Sequence, residues 1–170
     1  LGHAISHGDS EWYSFNKNGD FWPEEENKKH AHTFVKYGAY YPEHDVRKET
    51  RKGIIKAAFH NPKMHWTEVV FWGHRKKAAA DFEDAKEGKP RAYSISAHVK
   101  SDTCSICGNK ARRRGDYCKH ANHMLTTYLP GINKFAYLVN NDPTFYDLSD
   151  VKRPADRVAM TLGYALPEGE

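Results

Sequence analysis

The two segments that decide the fold are GIIKAAFH (residues 53–60) and WTEVVFWGH (residues 66–74). Both are rich in β-branched and aromatic residues, and the second alternates between apolar and polar positions, as a half-buried strand does. The Asn61-Pro62 step between them favours a turn. We therefore predict two strands here, and we expect strands to form most of the hydrophobic core.

The segment that follows predicts a helix and then another strand. Strong helix formers run from Arg75 to Glu87 and are closed by Gly88 and Pro90. RAYSISAHVK (residues 91–100) then reads as a strand with two unlike faces. The apolar face carries Tyr93, Ile95, Ala97 and Val99, and the opposite face carries Ala92, Ser94, Ser96 and His98.

Three further elements complete the predicted order. PEEENKKHAHTFVK (residues 23–36) is typical of a short helix, FAYLVNN (residues 135–141) of a strand, and DRVAMTLGYAL (residues 156–166) of an amphipathic helical tail. The whole chain, residues 1–170, is predicted to be a single α+β domain.

Composition narrows the class of protein. The 170 residues include 26 Lys and Arg against 22 Asp and Glu, and the two signs alternate instead of forming a basic block. Net charge therefore does not nominate a nucleic acid as partner. No apolar run approaches the roughly 20 residues of a membrane span, so we expect a soluble chain without a membrane partner.

All three cysteines lie in one segment, DTCSICGNKARRRGDYCKHANH, which we call the cysteine clip (residues 102–123). Cys104 and Cys107 form a C-x2-C pair, and Cys118 follows Cys107 after ten residues. An odd number of closely spaced cysteines favours metal ligation over disulfides. Zinc takes four thiolate or imidazole ligands, so we predict a structural zinc with His120 as the fourth ligand and His123 as the alternative.

Nucleophilic chemistry would have to come from outside the clip, because a closed four-ligand site leaves no open position and no free thiolate. Ser94 and Ser96 on the polar face of their strand are the natural nucleophiles. A base would come from the histidines outside the clip, and these residues alone do not choose among His32, His44, His60, His65, His74 and His98.

The order of several motifs resembles a known family. These are NKNGDFWPEE (16–25), HTFVKYGAYYPEHD (32–45), GIIKAAFHNPKM (53–64), WTEVVFW (66–72), AYSISAHV (92–99), DTCSICGNKARRRGDYCKH (102–120) and NNDPTFYDLSDVKRPADRVA (140–159). In this order they resemble the prohead (capsid maturation) serine proteases of large tailed bacteriophages, in the branch with a cysteine-rich insert. The resemblance covers about residues 16–160.

The resemblance implies a herpesvirus-protease-like fold, a mostly antiparallel β-barrel flanked by helices. It also implies a Ser nucleophile at Ser94 in YSIS and a His base at His44 in PEHD. The family usually has glycine two residues after the nucleophile, where this chain has Ser96. A side chain there can crowd the approach of the substrate, and it leaves Ser96 as a rival nucleophile.

Two assignments stay open at this point. The third catalytic group is Asp147 in FYDLS, with His120 and Asp102 as alternatives, and His120 cannot serve both the metal and the base. His32 is the alternative base.

The resemblance implies a serine endopeptidase that cleaves phage scaffold and major capsid proteins, and itself, inside the prohead in the host cytoplasm. Two other functions compete with it. One is an inactive virion structural protein of the same fold, and the other is a zinc-dependent nucleic-acid-binding domain that uses Arg112, Arg113 and Arg114.

Overall fold

The structure, a computed structural model, describes residues 2–165. In this range the chain forms eleven β-strands and five α-helices, which confirms the predicted α+β class. Their order is β1 (Gly2–Gly8), α1 (Ser10–Tyr13), β2 (Asp20–Phe21), α2 (Glu24–His30), α3 (His32–Tyr37), β3 (Ala39–Pro42), β4 (Gly53–Asn61), β5 (Trp66–Gly73), α4 (Ala79–Lys86), β6 (Tyr93–Cys104), β7 (Lys110–Ala111), α5 (Lys119–His123), β8 (Tyr128–Leu129), β9 (Lys134–Phe135), β10 (Leu138–Asp150) and β11 (Thr161–Ala165).

Nine strands form one mixed sheet in the order β11-β1-β5-β4-β3-β10-β6-β7, with β2 also paired to β10. Strands β2 and β3 run parallel to β10, and the other neighbours are antiparallel. Strands β8 and β9 form a separate two-stranded ribbon. The sheet brings strands from both halves of the sequence together, because β10 lies between β3 and β6.

The described strands follow an open order, whereas the resemblance predicts a closed barrel. The end strand β11 nevertheless meets β6, the strand next to the other end of the sheet, at one point. An isolated antiparallel bridge joins Ala92, just before β6, to Met160, just before β11. Beside it the backbone N–H of Thr161 donates to the carbonyl oxygen of Arg91 at 3.0 Å.

The β4–β5 hairpin confirms the two strands predicted from residues 53–60 and 66–74. Gly53 pairs with Gly73 at its open end. A Cβ atom on Gly53 would lie 2.2 Å from the carbonyl oxygen of Trp72, so only glycine allows the two backbones to approach this closely. Glycine at position 53 therefore permits the close approach of β4 and β5 at this end.

Strand β6 has the two faces that the sequence predicts, and it pairs along most of its length with β10. The register shifts between Phe145 and Asp147 of β10, which marks a β-bulge. Phe145 and Leu148 both lie in the core, three residues apart, because the extra residue restores the alternation. The same bulge places Asp147 opposite Ser96 instead of on the core face of Phe145.

The core lies on one face of the sheet under α2, α3 and α4. It is dominated by aromatic side chains, and Phe34 and Phe145 stack with ring centroids 4.4 Å apart. The predicted apolar face of β6 contributes to it as expected. The core consists of Ile5, Trp22, Phe34, Tyr40, Ile55, Val69, Phe71, Ala78, Tyr93, Phe145 and Leu148, with Ala58, Phe82, Ile95, Ala97 and Val99 packed against them.

Two sequence predictions need correction. The predicted helical tail is wrong as far as residue 165: residues 161–165 form β11, and residue 166 lies outside the described part. The exposed edge of β1 supplies backbone partners there, and these outweigh the helical periodicity. The predicted helix from Arg75 begins only at Ala79, after a turn.

Candidate active site and cysteine–histidine cluster

The carboxylate of Asp147 is completely buried in β10. Its Oδ2 atom lies 2.5 Å from Nδ1 of His44, and the His44 side chain is 39% exposed. A buried carboxylate against one ring nitrogen fixes the orientation of an imidazole and stabilises its charged form. The Nε2 atom of His44 has no hydrogen-bond partner among residues 2–165.

The turn that carries His44 has a strained backbone. Glu43 and His44 are consecutive residues with positive φ angles of 43° and 61°. Such left-handed conformations cost energy for residues other than glycine and persist where the surroundings hold them. Here the N–H of His44 donates to Oγ of Ser149 at 3.1 Å, and the Ser149 hydroxyl donates to Oδ1 of Asp147 at 2.7 Å. Asp147 therefore holds both the ring and, through Ser149, the backbone of His44.

Two serines of β6 lie near this pair, and they are placed differently. The Ser96 hydroxyl donates to Oδ2 of Asp147 at 2.8 Å and lies 3.2 Å from Nδ1 of His44. Ser94 lies opposite Ser149 in the sheet and has no hydrogen bond to His44 or Asp147 among the described contacts. It lines a separate cavity of about 30 Å³ that also includes His7 and Asp156. The structure thus brings the rival nucleophile, Ser96, to Asp147 and to the Nδ1 side of the His44 ring.

The electrostatics of the site follow from this geometry. The hydrogen bond to Asp147 raises the pKa of His44 above its ordinary value, and partial burial of the ring opposes this rise. Because Nδ1 is engaged by Asp147, the nitrogen left to accept a proton is Nε2. The arrangement can therefore support proton transfer at Nε2 with a charge-stabilising carboxylate behind it.

The alternative site residues lie elsewhere. His32 is exposed and its Nδ1 contacts the carbonyl oxygen of Lys29 at 3.0 Å. Asp102 is six residues along β6 from Ser96, about 20 Å at the rise of a strand, and it accepts a hydrogen bond from Tyr117. Of the three candidates for the third group, the structure brings only Asp147 to His44.

A polar network beside this site was missed in the sequence. The Nζ atom of Lys52, at the end of the loop that carries His44, lies 3.0 Å from Asp81 and 3.1 Å from Asp150. Arg91 contacts both of these carboxylates as well, at 3.1 Å and 2.6 Å. The network fastens the loop to the end of β10. Asp81 and Asp150 lie 29 and 98 residues after Lys52 in the sequence, so no local sequence signal could predict this network.

The second group of reactive side chains lies in the cysteine clip. The ligand atoms of Cys104, Cys107, Cys118 and His120 all lie within 4.8 Å of one another, and we call these residues the cysteine–histidine cluster. This set could hold a metal ion. His123 is exposed and does not belong to the cluster, so the structure selects His120 of the two predicted alternatives.

Local backbone geometry explains how the clip brings these atoms together. Gly108, with φ of 69°, turns the chain after the C-x2-C pair, and its N–H donates to the carbonyl oxygen of Cys104 at 2.9 Å. Cys118 immediately precedes α5. Burial opposes ionisation of Cys118, but hydrogen bonds from Ala121 and its other neighbours prevail and lower its thiol pKa to about 6. Burial raises the pKa of Cys104.

The cluster and the His44 site are at different places on the sheet. Ser96 and Cys104 are eight residues apart on β6, which corresponds to about 26 Å along a strand. Cys104 packs instead with Ala121 and Leu138 in a small second core. The clip therefore stabilises the far end of the β6–β10 pair and does not contribute side chains to the His44 site.

Comparisons with known proteins add no assignment. No protein-family model, curated protein or solved structure matches the chain. The family resemblance therefore stays a prediction from sequence motifs. Among residues 2–165 no helix has the length and apolar character needed to cross a membrane.

Proposed function

We propose that this chain is a serine endopeptidase in which His44 is the general base, Asp147 orients it and Ser96 is the nucleophile. One observation carries the proposal: a single buried carboxylate oxygen contacts both the His44 ring and the Ser96 hydroxyl. Serine acyl transfer requires a nucleophile, a base and an orienting acid, and Asp147 contacts both of the other two residues.

The proposed reaction begins with a rotation of the Ser96 hydroxyl. In the resting arrangement the Ser96 hydroxyl donates its hydrogen bond to Asp147 and lies on the Nδ1 side of His44, so the side chain must turn towards Nε2 when substrate enters. Oγ then attacks the scissile carbonyl carbon while its proton passes to Nε2. The resulting imidazolium, stabilised by Asp147, gives the proton to the leaving amine, and an acyl group stays bound to Ser96. Water then attacks this ester while Nε2 takes a proton from the water, and the imidazolium returns the proton to Oγ of Ser96 as the carboxylic acid product leaves.

The substrates in this proposal come from the family resemblance. They are phage scaffold and major capsid proteins, and the chain itself, cleaved in the prohead during assembly in the host cytoplasm. The same resemblance leads us to propose that the sheet is a barrel, closed where Ala92 meets Met160.

We also propose that the metal of the clip is zinc. Three thiolates and one imidazole are a common structural zinc set. With zinc–ligand bonds of about 2.0 to 2.3 Å, a tetrahedral site separates its ligand atoms by roughly 3.5 to 3.8 Å. Sγ of Cys118 and Nδ1 of His120 are 3.8 Å apart, within about 0.3 Å of the roughly 3.5 Å expected for a sulfur and a nitrogen on one zinc ion. Four protein ligands fill the shell, so this zinc would support the fold and not the chemistry.

The test uses a fluorophosphonate probe, which reacts with activated serines without any knowledge of the natural substrate. The serine oxygen displaces fluoride from phosphorus, and the labelled residue is identified by peptide mass spectrometry. We compare the wild type with Ser96→Ala, Ser94→Ala and His44→Ala, each with metal bound and with folding checked by circular dichroism. Ser94→Ala is the matched control, since it removes a hydroxyl from the same face of the same strand.

Label on Ser96 that is lost in Ser96→Ala and His44→Ala but kept in Ser94→Ala is the expected result. Label on Ser94 would still support a serine hydrolase. The nucleophile would then be Ser94, as the resemblance implies, and Ser96 would be a positioning residue. A folded wild type that takes no label, and does not cleave the scaffold protein, would favour the inactive structural relative. The hydrogen bond that holds Ser96 on Asp147 is the observation that favours this second function.

A further inference from the structure

A second group of side chains of the types that ligate metals lies at the closed end of the β4–β5 hairpin, around the turn between the two strands. It consists of Asp9, Glu24, His60 and His65, which we call the Asp9 cluster. Four elements meet there: the β1–α1 junction, the start of α2, the end of β4 and the turn before β5. The side chains of Asp9 and His60 are 0% and 3% exposed, and those of Glu24 and His65 about a quarter exposed.

Asp9 is held rigidly at the centre of this cluster. Nε2 of His60 lies 2.7 Å from Oδ2 of Asp9, and the side-chain amide of Asn27 donates to Oδ1 at 2.6 Å. A buried carboxylate that is hydrogen-bonded on both oxygens cannot swing away. Such support from neighbouring side chains is typical of carboxylates that ligate metals, because it orients the remaining lone pairs.

The other two side chains lie close enough to Asp9 to share one metal ion with it. The ligand atoms of Asp9, Glu24 and His65 all lie within 4.8 Å of one another. Nδ1 of His65 is buried without a hydrogen bond, and it lies 3.5 Å from Oε2 of Glu24. This gap is long for a hydrogen bond, whereas two ligand atoms on one tetrahedral ion with bonds of about 2.0 to 2.2 Å lie roughly 3.3 to 3.6 Å apart.

The backbone and ring of His65 are fixed independently of Glu24. His65 has a positive φ of 53°, a strained conformation for this residue, and its carbonyl oxygen accepts the N–H of Asp9 at 2.9 Å. Trp12 stacks on its imidazole with centroids 3.7 Å apart and planes 16° from parallel. The surroundings thus hold Nδ1 facing the two carboxylates in advance of any ligand.

We propose that the Asp9 cluster binds a divalent first-row transition metal ion through Asp9, Glu24 and His65, with His60 orienting Asp9. One imidazole and two carboxylates form a mixed nitrogen and oxygen set that suits zinc and its neighbours. The ion would join the N-terminal segment to the β4–β5 turn. This site differs from the cysteine–histidine cluster in ligand type and in position. The proposal of this site does not depend on the proposed protease activity.

The experiment counts zinc ions per chain by native mass spectrometry, after zinc loading and removal of excess. The wild type is compared with Glu24→Gln, which keeps the side-chain shape, and with His65→Gly, which relieves the positive φ. Cys107→Ala removes a ligand of the clip alone. His74→Gly is the matched control, because His74 is an exposed histidine at the opposite end of β5.

The expected result is two zinc ions in the wild type and His74→Gly, and one in each of the other three variants. Combining Glu24→Gln with Cys107→Ala is expected to abolish zinc binding. One ion in the wild type that persists in Glu24→Gln and His65→Gly would overturn the proposal. Two ions in those variants would overturn it as well, and circular dichroism separates both outcomes from loss of folding.

Discussion

Replacing Asp147 with asparagine tests the assignment of the His44 site most directly. The buried carboxylate contacts three groups that can donate a hydrogen bond: the hydroxyls of Ser96 and Ser149 and the ring of His44. An amide has one acceptor oxygen instead of two, and its NH₂ group faces donors. At least one charge-assisted hydrogen bond is lost, which corresponds to about 2 kcal/mol in the free energy of unfolding.

The effect on His44 has a definite sign. In the wild type the hydrogen bond to Asp147 raises the pKa of His44 above its ordinary value of 6.5, so folding favours the protonated ring. This stabilisation is fully present below the unfolded pKa and is lost as the pH rises through the folded pKa. The stability difference between wild type and Asp147→Asn is therefore larger near pH 6 than near pH 9, and the pKa of His44 falls in the variant.

The assay combines an NMR titration of the His44 ring with urea unfolding at several pH values. Asp102→Asn is the control, since it removes another mostly buried carboxylate, about 20 Å away along β6, that is bonded to Tyr117. An unchanged His44 pKa in Asp147→Asn, or a stability change within the roughly 0.5 kcal/mol of an ordinary surface substitution, would refute the reasoning.

Two further predictions concern the scaffold. Gly53→Ala is expected to lower the urea midpoint strongly, because its Cβ would meet the carbonyl oxygen of Trp72, whereas Gly163→Ala, with no neighbouring atom within 4 Å of the added Cβ, is expected to change it little. Equal midpoints for the two variants would contradict this account of the hairpin. A chelator is expected to lower the thermal midpoint of the wild type and to remove hydrogen-exchange protection from the clip. Its effect on the clip should be absent in Cys107→Ala, and protection that survives chelation in the wild type would contradict a metal at the cysteine–histidine cluster.

The accuracy of the sequence predictions depended on how local each signal is. The alternation in β5 and the two faces of β6 were correct because a strand with one buried face needs alternating side chains wherever it pairs. The cysteine–histidine cluster was also predictable from the sequence, since its four residues lie within seventeen consecutive positions. The prediction of a helical tail was wrong because β11 forms by pairing with the edge of β1, which lies more than 150 residues away in the sequence.

For the candidate site, the sequence and the resemblance nominated His44 with Asp147 as the first choice for its partner, but they placed Ser94 and not Ser96 beside this pair. Asp147 reaches His44 because a bulge in β10 turns it away from the core, and no local pattern marks that bulge. The same pairing brought Ser96, instead of Ser94, to Asp147. The Asp9 cluster gave no motif at all, because its four members come from four separate elements.

The sequence by itself determined the α+β class, the principal strands and the cysteine–histidine set. These depend on periodicity and short spacings, which act within a few residues. Only the tertiary structure decided which serine meets His44, which carboxylate lies behind it, and that Asp9, Glu24, His60 and His65 converge. Those contacts join residues far apart in the chain, and their geometry is set by strand register and bulges, which the packing of the whole sheet determines.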